Sequence, residues 1–300
     1  MTSKKKGVFQ MATGYVLYNP QAGHDNSKED LQLLELVFQE ELVFIDVHDM
    51  KDYRVFIQGL AAEDFLVLAG GDGTLNHFAN AIDGIAFDNE ILYYPSGTGN
   101  DFAYDLGYER ECAPFSAGRY LKNLPSVQVS GKTYRFVNGV GYGIDGYCCQ
   151  EGDKRKALGK KVNYTAIAIK GLLFHYKPTA ATVTVDGVSH SYDRVWLAPT
   201  MNGRCYGGGM MPAPHQDRLG EERTLSTLVF HGSGKLKTLL MFPSLFKGEH
   251  LRYIKHAEVL TGHTVTVAFD RPVALQIDGE TIPNVTAYTA CSPAVERVAV

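Results

Sequence analysis

What this chain lacks narrows the field first. It has five cysteines in 300 residues: Cys112, Cys148, Cys149, Cys205 and Cys291. They are scattered, odd in number and never in C-x-x-C spacing, so neither a zinc site nor a disulfide framework is expected, and a reducing cytoplasm fits. Charge of one sign is not in excess. The net charge is −4 and the pI near 6.2, which gives no basic footprint for nucleic acid. No apolar run reaches bilayer-spanning length. Lys4-Lys5-Lys6 is followed by no apolar core, so Met1 to Met11 reads as a frayed tail rather than a signal peptide. Two common nucleotide signatures are also missing. Asn76 stands where the G-x-G-x-x-G fingerprint begun at Gly71 needs glycine, and no Gly-Lys-Ser/Thr of a Walker loop follows.

What is present is a set of glycine turns at strand ends. Phe65–Ala69 reads as a buried strand and empties into Gly70-Gly71-Asp72-Gly73-Thr74-Leu75-Asn76, which opens a helix predicted over Leu75–Ile82. Glycines let the backbone approach an anion, and free N–H groups at a helix start point toward it. An Asp among them would repel phosphate unless it meets a cation or handles a proton. Ile91–Tyr94 leads similarly into Pro95-Ser96-Gly97-Thr98-Gly99-Asn100-Asp101-Phe102, and Tyr15–Tyr18 into Asn19-Pro20-Gln21-Ala22-Gly23. Three such turns suggest one mouth at the carboxyl edge of a parallel sheet.

The rest of the first half alternates in the same manner. Ser27–Gln39 has helical periodicity with Ser27 as N-cap, Leu42–Val47 reads as a strand, and Tyr53–Leu60 as a helix. The second half changes character. Thr182–Val188 enters an Asp186-Gly187 hairpin turn. Arg194–Pro199, Thr224–Phe230, Glu258–Leu260, Thr264–Phe269 and Val273–Ile277 read as further strands, with helices at Lys161–His175 and Lys235–Leu245. This predicts an antiparallel β domain, with the boundary near Pro125 and Gly131.

The ordered motifs resemble the diacylglycerol kinase catalytic-domain family, the bacterial soluble lipid kinases related to sphingosine kinases. The pattern Asn-Pro-x-x-Gly, Gly-Gly-Asp-Gly-Thr and Pro-x-Gly-Thr-x-Asn-Asp-Phe is met at Asn19, Gly70 and Pro95. Asn138-Gly139-Val140-Gly141-Tyr142-Gly143-Ile144-Asp145 and Gln276-Ile277-Asp278-Gly279-Glu280 resemble two later segments, so the likeness spans about residues 15–282.

The resemblance implies a Rossmann-like α/β domain over 13–132 and an antiparallel β-sandwich over 133–288. The active site would lie in the cleft between them, and a tail over 289–300 could return to the first domain. It implies ATP as co-substrate and Mg2+ as cofactor. Asn19, Gly23, Gly70, Gly71, Asp72, Gly73, Thr74, Asn76, Gly97, Thr98 and Asn100 would bind the nucleotide. Asp72, Asp101 and Asp145 would join the metal network. Glu280 would act as base for the lipid hydroxyl, with Asp72 and Asp278 beside it in the catalytic set. Asp278-Gly279 can equally be an ordinary hairpin turn, Asp101 a helix cap, and Asp145 a bulge in a glycine-rich strand.

The apolar stretch Tyr164–Phe174 can pack on the sheet or line an acyl-chain entrance. Lys154, Arg155, Lys156, Lys160 and Lys161 before it can form a solvated face or touch an anionic membrane. The chain departs from the family at His77, where a Glu is frequent, and at His24-Asp25. It departs again after Gly207-Gly208-Gly209-Met210, where the carboxylate spacing of a structural magnesium site is broken through Ser226.

The expected activity is transfer of the γ-phosphate of ATP to a lipid hydroxyl, diacylglycerol first, by a cytoplasmic enzyme in peripheral membrane contact, with a homodimer allowed. An NAD kinase-like enzyme and a catalytically weak lipid- or nucleotide-binding regulator are the alternatives.

Overall fold

The computed structural model describes residues 12–20, 31–109 and 112–293. The Met1–Met11 tail, Ser27, Gly23, His24-Asp25 and the end of the chain from 294 lie outside the described residues.

The first half forms a five-stranded sheet of order β2-β1-β3-β4-β5. β1 (Thr13–Tyr18), β2 (Glu41–Asp46), β3 (Phe65–Gly70) and β4 (Glu90–Pro95) are parallel, and the short β5 (Phe115–Ser116) is antiparallel to β4. α1 (Tyr53–Gln58) starts on Asp52, whose carboxylate accepts the Arg54 and Val55 N–H groups, the expected use of an N-cap. α2 (Asp72–Ala81) and α3 (Asp101–Asp105) leave the ends of β3 and β4. α4 (Gly118–Leu121) closes this half. α2 begins at Asp72, three residues before the start read from periodicity, because Gly71 in extended conformation already serves as its cap. Leu75 and Phe78 hold it on the sheet, each fully buried and contributing roughly 1.5–3 kcal/mol. Between β1 and β2 the described residues show a 3-10 turn, Gln32–Leu36, with Leu31 and Leu34 buried as the periodicity expects.

The second half is a ten-stranded antiparallel sheet folded on itself as a sandwich. β6 (Ser126–Val129), β7 (Lys132–Arg135), β8 (Gly139–Tyr142), β9 (Thr179–Val185), β10 (Val188–Val195), β11 (Thr200–Met201), β12 (Leu225–Phe230), β13 (Ala257–Gly262), β14 (Thr264–Ile277) and β15 (Glu280–Cys291) make it up. β14 is one strand where two were expected. Its residues 265–269 pair with β9 and 275–277 with β8, while β15 accompanies both stretches across two register shifts. The bulged middle lets one strand serve both leaves. Tyr142, Val183, Val267, Leu275 and Tyr288 lie in the core between them.

Residues 126–128 pair with 289–291, so the chain enters the second sheet at Ser126. Residues 289–291, expected in a tail, finish β15. The Asp186-Gly187 turn forms as read, both residues at positive φ.

The longest helix was missed, as was the short α4. α5 (Ile144–Ala157) follows β8, so Asp145 sits in a helical first turn and not in the glycine-rich strand assigned to it. Two other helices are shorter than expected. α6 (Tyr164–Lys170) starts at the Asn163 cap and runs into a π turn, Gly171–His175. α7 (Lys235–Met241) passes into a 3-10 turn, Phe242–Lys247, where Pro243 cannot donate an α-helical hydrogen bond.

Candidate active site

The glycine turns after β3 and β4 lie back to back. A Cβ on Gly97 would strike the Gly71 backbone, and one on Gly70 would strike the Thr74 side chain. The Ser96 N–H donates to the Gly70 carbonyl. Asn100 folds its side chain into its own turn: its Oδ1 accepts the Gly97 N–H, and its Nδ2 donates to the carbonyls of Pro95 and Gly97. Gly73 and Thr98 stay exposed, Thr74 is buried, and Asn19 follows the end of β1.

Asp72 links the turns. Its carboxylate accepts the N–H groups of Asp101 and Phe102, at 2.8 and 2.9 Å, so it caps α3 while opening α2. Asn138, from the second half, donates its Nδ2 to Asp72 at 3.0 Å. Asp101 accepts the Gly208 and Gly209 N–H groups at 2.8 and 2.6 Å. The same loop carries Tyr206, whose hydroxyl donates to Asp145. Asp72 and Asp101 therefore meet directly, and Asp145 joins them through the 206–209 loop.

Asp278 closes the joint. Its carboxylate accepts the N–H groups of Val137, Asn138 and Gly139 and the Nδ2 of Asn76. Asn76 and Asn80 on α2 both donate to the Arg135 carbonyl. Asn76 is thus buried as a clamp between the halves. Glu280, two residues past Asp278, is exposed at the head of β15. His77 is also exposed, its ring edge-on to Tyr53.

The carboxyls are electrostatically stressed. Burial, then the charge of Asp101, pushes Asp72 up to about 7 against three hydrogen bonds that favour its ionised form. Burial also raises Asp101 and Asp278, and lifts Asp145 to about 6. Asp145 Oδ1 is buried without a hydrogen-bond partner. Such a group of desolvated carboxyls suits a divalent cation. Among the described residues, however, no three His, Cys, Asp or Glu side chains stand together to ligate one ion. A magnesium ion here would complete its octahedron with water and phosphate oxygens, which is its usual habit. All five cysteines are free, and burial first, then Asp145, pushes Cys149 up to about 12, so that thiol is inert.

Both halves of the chain match known domain families. Residues 13–126 match the model of the diacylglycerol kinase catalytic domain, and residues 138–300 that of the YegS C-terminal NAD kinase beta sandwich-like domain. The chain belongs to the diacylglycerol kinase catalytic-domain family. This diacylglycerol kinase-family chain is 24% identical over 266 residues to a diacylglycerol kinase of Mycobacterium tuberculosis, covering 86% of this chain and 83% of that one. It is 22% identical over 281 residues to a diacylglycerol kinase of Bacillus subtilis, covering 90% of each. A crystal structure of a diacylglycerol kinase from Bacillus anthracis superposes with a TM-score of 0.64 at 19% identity, over 94% of this chain and 95% of that one. That overlap establishes the fold. As a member of this lipid kinase family the chain is a phosphotransferase, and the family implies ATP use.

Several residues of this family member's site were not anticipated. Arg218 is buried, pairs with Asp105 at 2.5 Å, lies over the Phe102 ring, and donates to the Asn138 Oδ1 at 3.1 Å. It thereby turns the Asn138 amide so that its NH2 faces Asp72. Arg204 also pairs with Asp105. The broken carboxylate spacing around residues 217–226 gave no sign of this role. The cavity of about 530 Å³ beside that segment, lined in part by His215, Asp217 and Arg223, contains none of the site residues expected from the sequence.

A pH dependence follows from Asp72. Its folded-state value lies above the unfolded carboxyl value near 3.8, so the folded state holds this proton longer than the unfolded one. Stability then falls as pH rises toward the folded value, and the full penalty is present above it. Asp72→Asn removes the titration. In metal-free buffer, the stability of Asp72→Asn relative to wild type is expected to improve by about 1 kcal/mol between pH 6 and pH 8. Melting curves of both proteins at the two pH values check this. A difference that shrinks with rising pH contradicts the assignment.

Proposed function

We propose that the chain transfers the γ-phosphate of ATP, with magnesium, to a lipid hydroxyl, with diacylglycerol the leading acceptor and phosphatidic acid the product. The observation that carries the proposal is the meeting of two glycine turns, two helix starts and Asp72 at a joint completed by the second sheet. The exposed N-terminal turn of α2 and the Gly97–Gly99 turn suit the polyphosphate. Magnesium, when bound, neutralises charge on the transferring group, and Asp72, Asp101 and, through water, Asp145 are the residues to hold it.

In this reading the acceptor oxygen bonds to the γ-phosphorus as the bond to the β,γ-bridging oxygen breaks. ADP leaves, and the acceptor's proton passes to the Glu280 carboxylate. The base acts late, when the alcohol has become acidic, so reach and ionisation matter more than strength. Asp278 sets that reach by anchoring the turn that precedes Glu280. Cytoplasmic location and peripheral membrane contact belong to the same proposal. Among the described residues no helix is long and apolar enough to cross a membrane.

Incubating the full chain with labelled ATP, magnesium and a panel of diacylglycerol, sphingosine, total-lipid extract and NAD tests the reading. Label is expected in a lipid product, strongest from diacylglycerol. Label in NAD phosphate alone would replace this function with the NAD kinase one, and nucleotide binding with no labelled product would leave a regulator.

A further inference from the structure

Two stretches of the second half stand apart in composition. Residues 157–177 carry Lys160, Lys161, Lys170 and Lys177, and residues 235–247 carry Lys235, Lys237 and Lys247. Neither contains an Asp or Glu, although the chain as a whole is acidic at −4. The fold brings the stretches together. α7 packs against the Gly171–His175 π turn, and Lys235 Nζ donates to the Leu173 carbonyl at 2.8 Å.

The same two stretches leave large apolar side chains in the open. They hold seven of the sixteen exposed large hydrophobics among the described residues. Phe174 and Leu236 are each 71% exposed and Leu240 is 80% exposed. Leu236 and Leu240 are one turn apart on α7, opposite Thr238 and Met241, which are buried. Singly exposed apolar side chains are ordinary, but a cluster of them rimmed by one sign of charge marks an interaction surface. Apolar tips for the acyl boundary and lysines for anionic headgroups are the two signals that interfacial anchoring requires together. Lys154 and Lys156 contribute less, since each already faces a carboxylate of its own helix, Glu151 and Asp153.

We propose that the surface formed by α6, the π turn and α7 is the face on which this protein docks to an anionic bilayer, inserting Phe174, Leu236 and Leu240 between headgroups. The proposal rests on the lipid-acceptor reading for its purpose but not for its test. α5, which carries Asp145 at its first turn, packs against α6, so the docking face adjoins the site.

Cosedimentation of the full chain with phosphatidylcholine vesicles, with and without phosphatidylglycerol, is the experiment. Wild type is expected to bind only the anionic vesicles, and less at high salt. Leu236→Glu with Leu240→Glu should weaken that binding at least about tenfold, since it removes two insertable side chains and adds repulsion. Lys160→Glu with Lys161→Glu should also weaken it about tenfold. Val55→Glu, at an exposed valine on α1, should leave binding unchanged. Turnover on a dispersed short-chain acceptor should stay within about twofold in the leucine variant while turnover on vesicle-borne acceptor falls.

Wild type that ignores anionic vesicles, or that self-associates through this face instead, overturns the proposal. So does a folded leucine variant that binds as wild type does, or a Val55→Glu loss of equal size. Vesicle binding with no turnover on any lipid would instead remove the kinase reading and leave the docking face standing.

Discussion

Glu280→Gln is expected to lower the turnover number by about a hundredfold or more while leaving the melting midpoint unchanged. The glutamate is exposed at the head of β15, so the amide disturbs no packing and fits the same space. Gln cannot take the acceptor's proton, and loss of a positioned base typically removes two to four orders of magnitude, hence the figure of about a hundredfold. The Michaelis constant for ATP should hold within about twofold, because the turns proposed to face the phosphates lie in the first half and the effect is confined to the transferring step. Steady-state assays with the preferred lipid and a thermal melt decide it. Activity within a factor of a few of wild type would remove Glu280 from the role of base.

Asp278→Ala is expected to have the largest effect on stability. The substitution strands three backbone N–H groups, on Val137, Asn138 and Gly139, together with the Asn76 amide. Donors left unpaired in a buried place cost about 1–3 kcal/mol each, and water will reach some of them. Alanine is also strained at the positive φ of Asp278 in its hairpin turn. The sum is a loss of about 3–5 kcal/mol. Asp278→Asn, which tolerates that φ and keeps one acceptor oxygen, should lose about half as much. Denaturant titration of the three proteins measures it. An alanine variant as stable as wild type would show that the joint is held elsewhere. Both variants should also lose activity, because the turn that carries Glu280 loses its anchor.

The first sheet was legible because parallel strands are continuous apolar runs and their turns must be glycine-rich, as at Gly70-Gly71 and Gly97. The polar joint was only half legible. Asp72, Asn138 and Asp278 stood inside recognisable motifs, whereas Asn80, Arg135 and Arg218 act through contacts between residues 55 to 80 positions apart, which no local pattern records. α5 was hidden for a different reason. It packs through small residues rather than a leucine stripe: Gly146 lies against the Ala274 backbone and Gly152 against the Tyr164 ring. Helical periodicity in hydrophobicity is therefore missing, and the preceding glycines read as strand. β14 was divided in two because its bulged middle, from Asp270 to Pro272, breaks the alternation that marks a strand.

Gly71 and Gly97 touch backbone to backbone, so at that point the wall of the site is built from peptide planes alone. Its dimensions are hard to adjust by exchanging side chains, since one at Gly97 would strike the Gly71 backbone and one at Gly71 would crowd Gly97. In the proposed reading, tailoring of what the chain accepts falls on second-half side chains outside the polar joint, away from the two glycines.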